Sequence, residues 1–285
     1  MTMTTTEKST SKKSKNESVL PVRRGIQIFF LLLTFAIGFR HIMPGGPSRG
    51  GAIDSFCPFG GVETLYVYIS TGQTLQTTSL MNFSVLLAVM GLTLVAGRAF
   101  CGWMCPLGTL QDALARLARR LTGEQKHVLG KRGKHLFPIT IPVQVDRWLN
   151  SIKYVILIAV VIFSMQSVYP PLHDMCVVRA IFSFHLPTTL LWVVTVAFVL
   201  SSMFAKRLFC RYLCPMGALM AVFNKISIIR LKVNQEKCNQ CSRCDVECPM
   251  DIPAVSQNIR SVECVRCLAC VDTCADPETI TLRMG

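Results

Sequence analysis

Acidic residues are scarce in this chain of 285, with 16 Asp and Glu against 30 Lys and Arg. None lies inside a long apolar run, which argues against a transporter, because transporters place ionisable groups within the bilayer. The basic stripe interleaved with aromatics that a nucleic-acid binder needs is also missing. No C-x-x-C-H occurs, so c-type haem is excluded. The apolar runs hold no His pairs for a b-type haem. No small-residue cleavage site follows the first run, which closes on Gly38-Phe39-Arg40-His41, so it reads as an uncleaved anchor and not as a signal peptide.

Apolar sequence is plentiful. Hydrophobic residues make up 51% of the chain and charged ones 16%, against about 25% charged in soluble domains. Four runs stand out: Gly25 to Phe39, Leu80 to Gly97, Tyr154 to Val168 and Pro187 to Phe204. With their flanks, each supplies the roughly 20 helical residues that a bilayer core requires. The basic residues fix a direction. Six Lys and Arg lie in residues 1–25, nine between Arg98 and Arg147, and eleven from Lys206 onward. The other two connections hold little besides Arg49 and Arg179. The positive-inside rule places both termini and the 98–147 loop in the cytoplasm.

An internal repeat organises these runs. Arg98-Ala99-Phe100-Cys101-Gly102-Trp103-Met104-Cys105-Pro106-Leu107-Gly108 aligns with Arg207-Leu208-Phe209-Cys210-Arg211-Tyr212-Leu213-Cys214-Pro215-Met216-Gly217. Each closes an apolar run with C-x3-C-P. Each then enters a helical pattern: Leu107, Leu110, Leu114, Leu117 and Leu121 in the first, Leu219, Val222, Phe223 and Ile226 in the second. Basic amphipathic helices of this kind lie at the membrane interface. The repeat is parallel, so Cys101, Cys105, Cys210 and Cys214 are expected to converge at one membrane face. Four thiols there suit an iron–sulfur or other metal centre, or dithiol cycling, and the sequence does not choose between them.

The most specific signal is Cys238-x2-Cys241-x2-Cys244-x3-Cys248-Pro249, followed by Cys264-x2-Cys267-x2-Cys270-x3-Cys274. This is the bacterial two-cluster pattern, in which the fourth Cys of each run serves the other cluster. Cys238, Cys241, Cys244 and Cys274 are therefore assigned to one [4Fe–4S] cluster, and Cys264, Cys267, Cys270 and Cys248 to a second. Structural zinc takes two pairs across a longer loop, which a doubled run of four does not match. Fully thiolate-ligated clusters transfer electrons, and that is the expected role.

Other residues carry weaker signals. Cys57 and Cys176 face the opposite side and read as a disulfide or as buried thiols. His173, Met175 and Cys176 form a soft set suited to copper. Histidines 41, 173 and 185 lie near that outer face. Val62, Leu65, Tyr66 and Ile69 have helical spacing, with Tyr66 and Tyr68 at headgroup level. Glu63 reads as a helix cap or as the acceptor of a quinol proton.

From about residue 25 the sequence resembles the membrane polyferredoxins of the NapH and NosR type. The resemblance rests on the four runs, the C-x3-C-P pairs Cys101/Cys105 and Cys210/Cys214, and the runs Cys238–Cys248 and Cys264–Cys274. Cys57-Pro58-Phe59-Gly60-Gly61 is closer to the NosR side, whereas that branch's large N-terminal flavin-binding domain has no counterpart in these 285 residues. The resemblance implies passage of electrons between membrane quinol and a partner reductase, through a ferredoxin or cytochrome subunit. Relatives with the same motifs act as metal reductases in maturation of respiratory metalloenzymes, which is the alternative expectation.

The expected fold is mainly α. A disordered cytoplasmic lead (1–24) precedes a four-helix transmembrane domain built as a duplicated two-span unit (25–232). A small α+β two-cluster ferredoxin domain follows (233–285). The expected location is the bacterial cytoplasmic (inner) membrane, with the ferredoxin domain in the cytoplasm and no nucleic-acid partner.

Overall fold

The structure is a computed structural model and describes residues 18–42, 68–69, 80–121, 143–166, 177–182, 189–276 and 278–284. Cys57, Glu63, Tyr66, His173, Met175, Cys176 and His185 lie outside the described residues, as does the side chain of His41. In chain order the elements are α1 (Val19–Ile42), α2 (Leu80–Ala96), α3 (Ala99–Trp103), α4 (Pro106–Leu121), α5 (Val143–Gln166), α6 (Val177–Phe182) and α7 (Thr189–Phe204). A π-helical turn (Phe209–Leu213) and α8 (Pro215–Asn224) follow, then β1 (Ile229–Val233), α9 (Arg243–Glu247), α10 (Val255–Asn258), α11 (Ala269–Thr273) and β2 (Ile280–Met284).

The four apolar runs all fall on helices: α1, α2, α5 and α7. Among the described residues α1 alone is long and apolar enough to cross a membrane by itself, over Val19–Arg40. α2 and α7 are uncharged and have 17 and 16 residues, short of a full span by themselves; α5 has 24 and carries Asp146 and Lys153 in its first half.

The repeat is visible in the element order: α2–α3–α4, then α7–π-turn–α8. In each copy a Cys-Pro pair starts the second helix. Proline suits the first helical position because its missing N–H would have no partner there. Cys214 caps α8 by accepting the Gly217 N–H at 3.4 Å. Both of these helices bury a stripe made mostly of small and polar residues. In α4 it is Leu107, Gly108, Thr109, Gln111, Ala115 and Ala118; in α8 it is Gly217, Ala218, Met220, Ala221 and Asn224. Leu117, Leu121, Val222 and Ile226 point outward.

Residues from β1 to β2 form a small α+β unit. The two strands pair antiparallel with Leu231 opposite Leu282, drawing the two ends of the unit together. Its core is Leu231, Met250, Ile252, Val255, Ile259, Val265 and Ile280, with cysteines of both runs packed against it. A second apolar core joins Leu107, Val177, Phe182 and Phe198 between the long helices. There Phe35 meets Phe182 at a tilt, with ring centroids 4.8 Å apart, and Phe198 meets Phe209 edge to face at 5.4 Å.

Candidate functional site

The tail's eight cysteines are presented by two loops that follow the same path. Gln240 and Ser242 in the first run, and Arg266 and Leu268 in the second, occupy matching positions. All four have positive φ, between 47° and 59°. A non-glycine residue in this region costs about 1–2 kcal/mol, so four such residues need compensation. Left-handed residues alternating with right-handed ones turn successive N–H groups toward a common point and create an anion-binding nest. Backbone N–H groups of Met250 and Ile252 favour the Cys248 thiolate, and that of Arg266 favours the Cys264 thiolate. The strained loops thus suit anionic sulfur ligands.

Cys248 stands with the second run. It neighbours Cys264 and Cys267, and Cys270 neighbours Cys267, Cys264, Cys248 and Cys244. These four cysteines and Leu231, Met250, Ile252 and Val265 line a small cavity that is partly open to solvent. The first run meets the end of the second from the other side. α9 packs on α11, Lys237 pairs with Glu278, and Thr279 donates to the Lys237 carbonyl at 3.4 Å. Burial pushes the Cys244 thiol up to about 11 and Cys248 up to about 12, so metal binding there must displace protons.

Cys101, Cys105, Cys210 and Cys214 also come together. Cys210 lies beside Cys105, Cys214 and Cys101, and Cys214 beside Cys101 and Cys105. The Cys101 sulfur is 3.4 Å from that of Met220. Burial, then the neighbouring thiols, push Cys105 up to about 11 and Cys214 up to about 12. None of the twelve described cysteines is in a disulfide.

Among the described residues no three Cys, His, Asp or Glu side chains gather at the spacing of a single bound metal ion. A lone zinc, with bonds of about 2.3 Å to sulfur, needs its thiolates closer together than a cluster does. An iron–sulfur cube places each thiolate on its own iron, and the donors present fit that group.

The surroundings of these cysteines include residues that motif reading did not single out. Arg98 and Arg207 precede their C-x3-C-P pairs at equal distance and are 0% and 1% exposed. Each crosses to the opposite copy. Arg207 donates to the Cys101 carbonyl at 2.9 Å and lies against Gly108; the Arg98 guanidinium lies against Gly217. Arg207 grips Asp112 through two bonds of 2.7 and 2.6 Å, and Arg23 joins the same carboxylate at 3.1 Å. Arg98 instead reaches Glu263 in the tail at 2.8 Å, where Lys153 also pairs. Burial opposes ionisation of Asp112 and Glu263, but these cations outweigh it and hold both pKa values below the ordinary carboxylate range.

Further contacts seat the tail on the helices. Asn224 donates to the Val262 and Cys264 carbonyls at 3.0 and 3.1 Å, and the Trp103 indole to that of Arg266 at 3.0 Å. Lys206 reaches the Val246 carbonyl at 2.7 Å. Arg211 bridges Asp146 and Asp251. Asp272 accepts from the Val19 and Leu20 N–H groups at 3.1 and 2.7 Å, capping α1 and favouring its positive dipole end. A sequence signal for part of this existed: two charged residues at one register of an apolar repeat ask for buried partners.

The comparisons agree with this chemistry. The family described as "4Fe-4S binding domain" matches residues 78–123 and 186–234, one segment for each C-x3-C-P copy. YccM of Escherichia coli, whose name assigns it to electron transport, is 32% identical over 247 residues, 83% of this chain and 65% of that protein. An uncharacterised protein of Methanocaldococcus jannaschii is 32% identical over 220 residues, 76% of this chain and 82% of its own length. Ferredoxin-type protein NapH of Haemophilus influenzae is 26% identical over 201 residues, 66% of this chain and 63% of that protein. The chain thus spans just under two thirds of YccM. No solved structure matches it. The chain belongs to the NapH/NosR-type polyferredoxins, a family of iron–sulfur electron-transport proteins.

Proposed function

We propose that the chain is a multi-pass membrane electron conduit whose tail holds two [4Fe–4S] clusters and links the quinone pool to a partner reductase, ferredoxin or cytochrome subunit. The adjacency of the two cysteine sets carries the reading: the helix that holds Cys244 packs on the one that holds Cys270, an arrangement suited to electron exchange between clusters held there. Cys248 among Cys264, Cys267 and Cys270 supports the cross-ligation that the spacing implies. Bound clusters would supply one-electron redox chemistry; the chain's part is to bury them, aim N–H groups at their sulfurs and fix their separation.

Support for the membrane comes from the outer surface of the helices. Ile28, Phe29, Leu32, Leu87, Val155, Ile158, Trp192 and Val193 are all more than half exposed. An exposed apolar patch spread over several helices is unsuited to water. It becomes stable when lipid covers it, and helices satisfy their own backbone polar groups there. Short spans are completed by their flanks or by local bilayer thinning. The distribution of Lys and Arg orients the tail to the cytoplasm.

The test is anaerobic purification into lipid nanodiscs, followed by menaquinol or ubiquinol with cluster absorbance and EPR recorded. Bleaching with a reduced-cluster signal is expected. Intact clusters that ignore quinol yet accept electrons from a low-potential donor would overturn the quinol link. Cross-ligation is tested separately: Cys274→Ser should damage the cluster of the first run, and selective loss of the other would refute the assignment.

A further inference from the structure

We infer that Cys101, Cys105, Cys210 and Cys214 hold a third, multi-iron iron–sulfur centre between the two copies of the repeat, and that Arg98 donates hydrogen bonds to it. The four thiols converge without forming a disulfide, and they do not gather at single-ion spacing. Each copy contributes two, so one cluster would fasten the copies together, as cross-ligation does in the tail.

The second observation is the Arg98 guanidinium. It is fully buried, and only Nη1 is used, toward Glu263 and the Val262 carbonyl. Its Nε and Nη2 carry no partner among the described residues. Nη2 lies against Gly217 on the side of Cys214, and the group's charge is felt by both Cys101 and Cys214. Two buried donors left without acceptors are destabilising. Sulfur atoms of a cluster on these cysteines would supply the acceptors.

Charge agrees. Arg98, Lys153 and Glu263 together leave one positive charge, and Arg207, Arg23 and Asp112 leave another. The first triad lies by Cys101 and Cys214, the second by Cys105 and Cys210. An oxidised four-iron cube with four thiolates is doubly negative, and the two triads balance it. The site also adjoins the tail. A side chain at Gly102 would meet the Val265 carbonyl and would lie 3.5 Å from the Cys267 Cβ, while Arg207 senses both Cys210 and Cys267. A centre here would stand between the membrane helices and the second tail cluster.

The inference rests on the two-cluster reading of the tail only for its iron count. The full chain, purified anaerobically in detergent, should contain about twelve iron and twelve acid-labile sulfide atoms, from three four-iron centres. The double variant Cys101→Ser/Cys214→Ser should keep about eight, with the tail EPR signals intact. Arg98→Lys retains a cation for Glu263 but loses the forked donors. It should keep about twelve iron atoms and lower the midpoint potential of one centre alone, since hydrogen bonds to cluster sulfur set that potential. About eight iron atoms in the wild type, with both tail signals present, would overturn the inference and leave the tail reading standing; so would zinc bound in place of the missing iron. Fewer than about eight would instead defeat the two-cluster reading. An Arg98→Lys protein with every potential unmoved would remove Arg98 from the site.

Discussion

The two copies of the repeat differ most where their buried arginines find partners. In the first copy, position 112 is Asp, and it receives Arg207 from the second copy. The equivalent position in α8 is Ala221, fully buried and without charge. Arg98 therefore has no acid at the matching position, and it takes Glu263 from the tail. Other substitutions follow the same division. Gly97, with φ at 59°, and Gly102 leave room for Arg266 and Val265 of the second cysteine run. Their counterparts Lys206 and Arg211 are long, and they reach the first run at Val246, Cys248 and Asp251. At these two positions the duplicated unit has thus diverged: copy one meets the tail through glycines, and copy two through long cationic side chains.

Glu263→Ala should produce the largest loss, because Arg98 and Lys153 would both be left buried without a carboxylate. Breaking such a pair costs about 3–5 kcal/mol. Thermal unfolding in detergent and protease release of the tail would report it. Stability within about 0.5 kcal/mol of wild type would mean that the tail does not depend on copy one.

Asp112→Asn strikes the other arginine and should cost about 3 kcal/mol, without releasing the tail. Its effect should depend on pH. The folded Asp112 pKa is held below the unfolded value of about 3.9, so its stabilisation is complete above that value. It disappears as pH falls through the lower, folded pKa. The gap in unfolding temperature between wild type and variant should therefore be constant from neutral pH down to about 4 and narrow below it. A gap that narrowed between pH 7 and 5 would contradict this ion pair.

Gly102→Ala probes the close approach in copy one. A methyl group would meet the Val265 carbonyl, which is backbone and cannot turn aside, and overpacking of this kind costs about 1–3 kcal/mol. The matching change in copy two, Arg211→Lys, should leave Val265 undisturbed. Hydrogen exchange at residues 262–267 separates the two.

Much of this was legible in the sequence, and the division between what was and what was not has a physical basis. Helices at the four apolar runs and the convergence of the C-x3-C-P cysteines follow from local pattern and from duplication. The apolar spacing marked the outward Leu117, Leu121 and Val222, but it grouped with them Leu107, which is buried in the core with Phe198. It did not reveal the buried stripe through Gly108, Gln111 and Ala115, because small and polar residues give no periodic signal of burial. The arginine partners were hidden for another reason. Arg98 and Glu263 are 165 positions apart, and Arg207 and Asp112 are 95 apart. Only the fold brings them together.

The tail has one further hold, on neither copy of the repeat, and it should give the smallest effect. Asp272 caps α1 through the Val19 and Leu20 N–H groups, so the first helix begins on the tail. Asp272→Ala leaves those donors to water, and loss of a cap costs about 1 kcal/mol. The consequence should be local. Exchange at the first turn of α1 should quicken, while Arg98–Glu263 and Lys206–Val246 hold the tail in place. If the tail instead loosened as a whole, the docking would be a single cooperative surface, and the difference between the copies would carry less of the stability than their contacts imply.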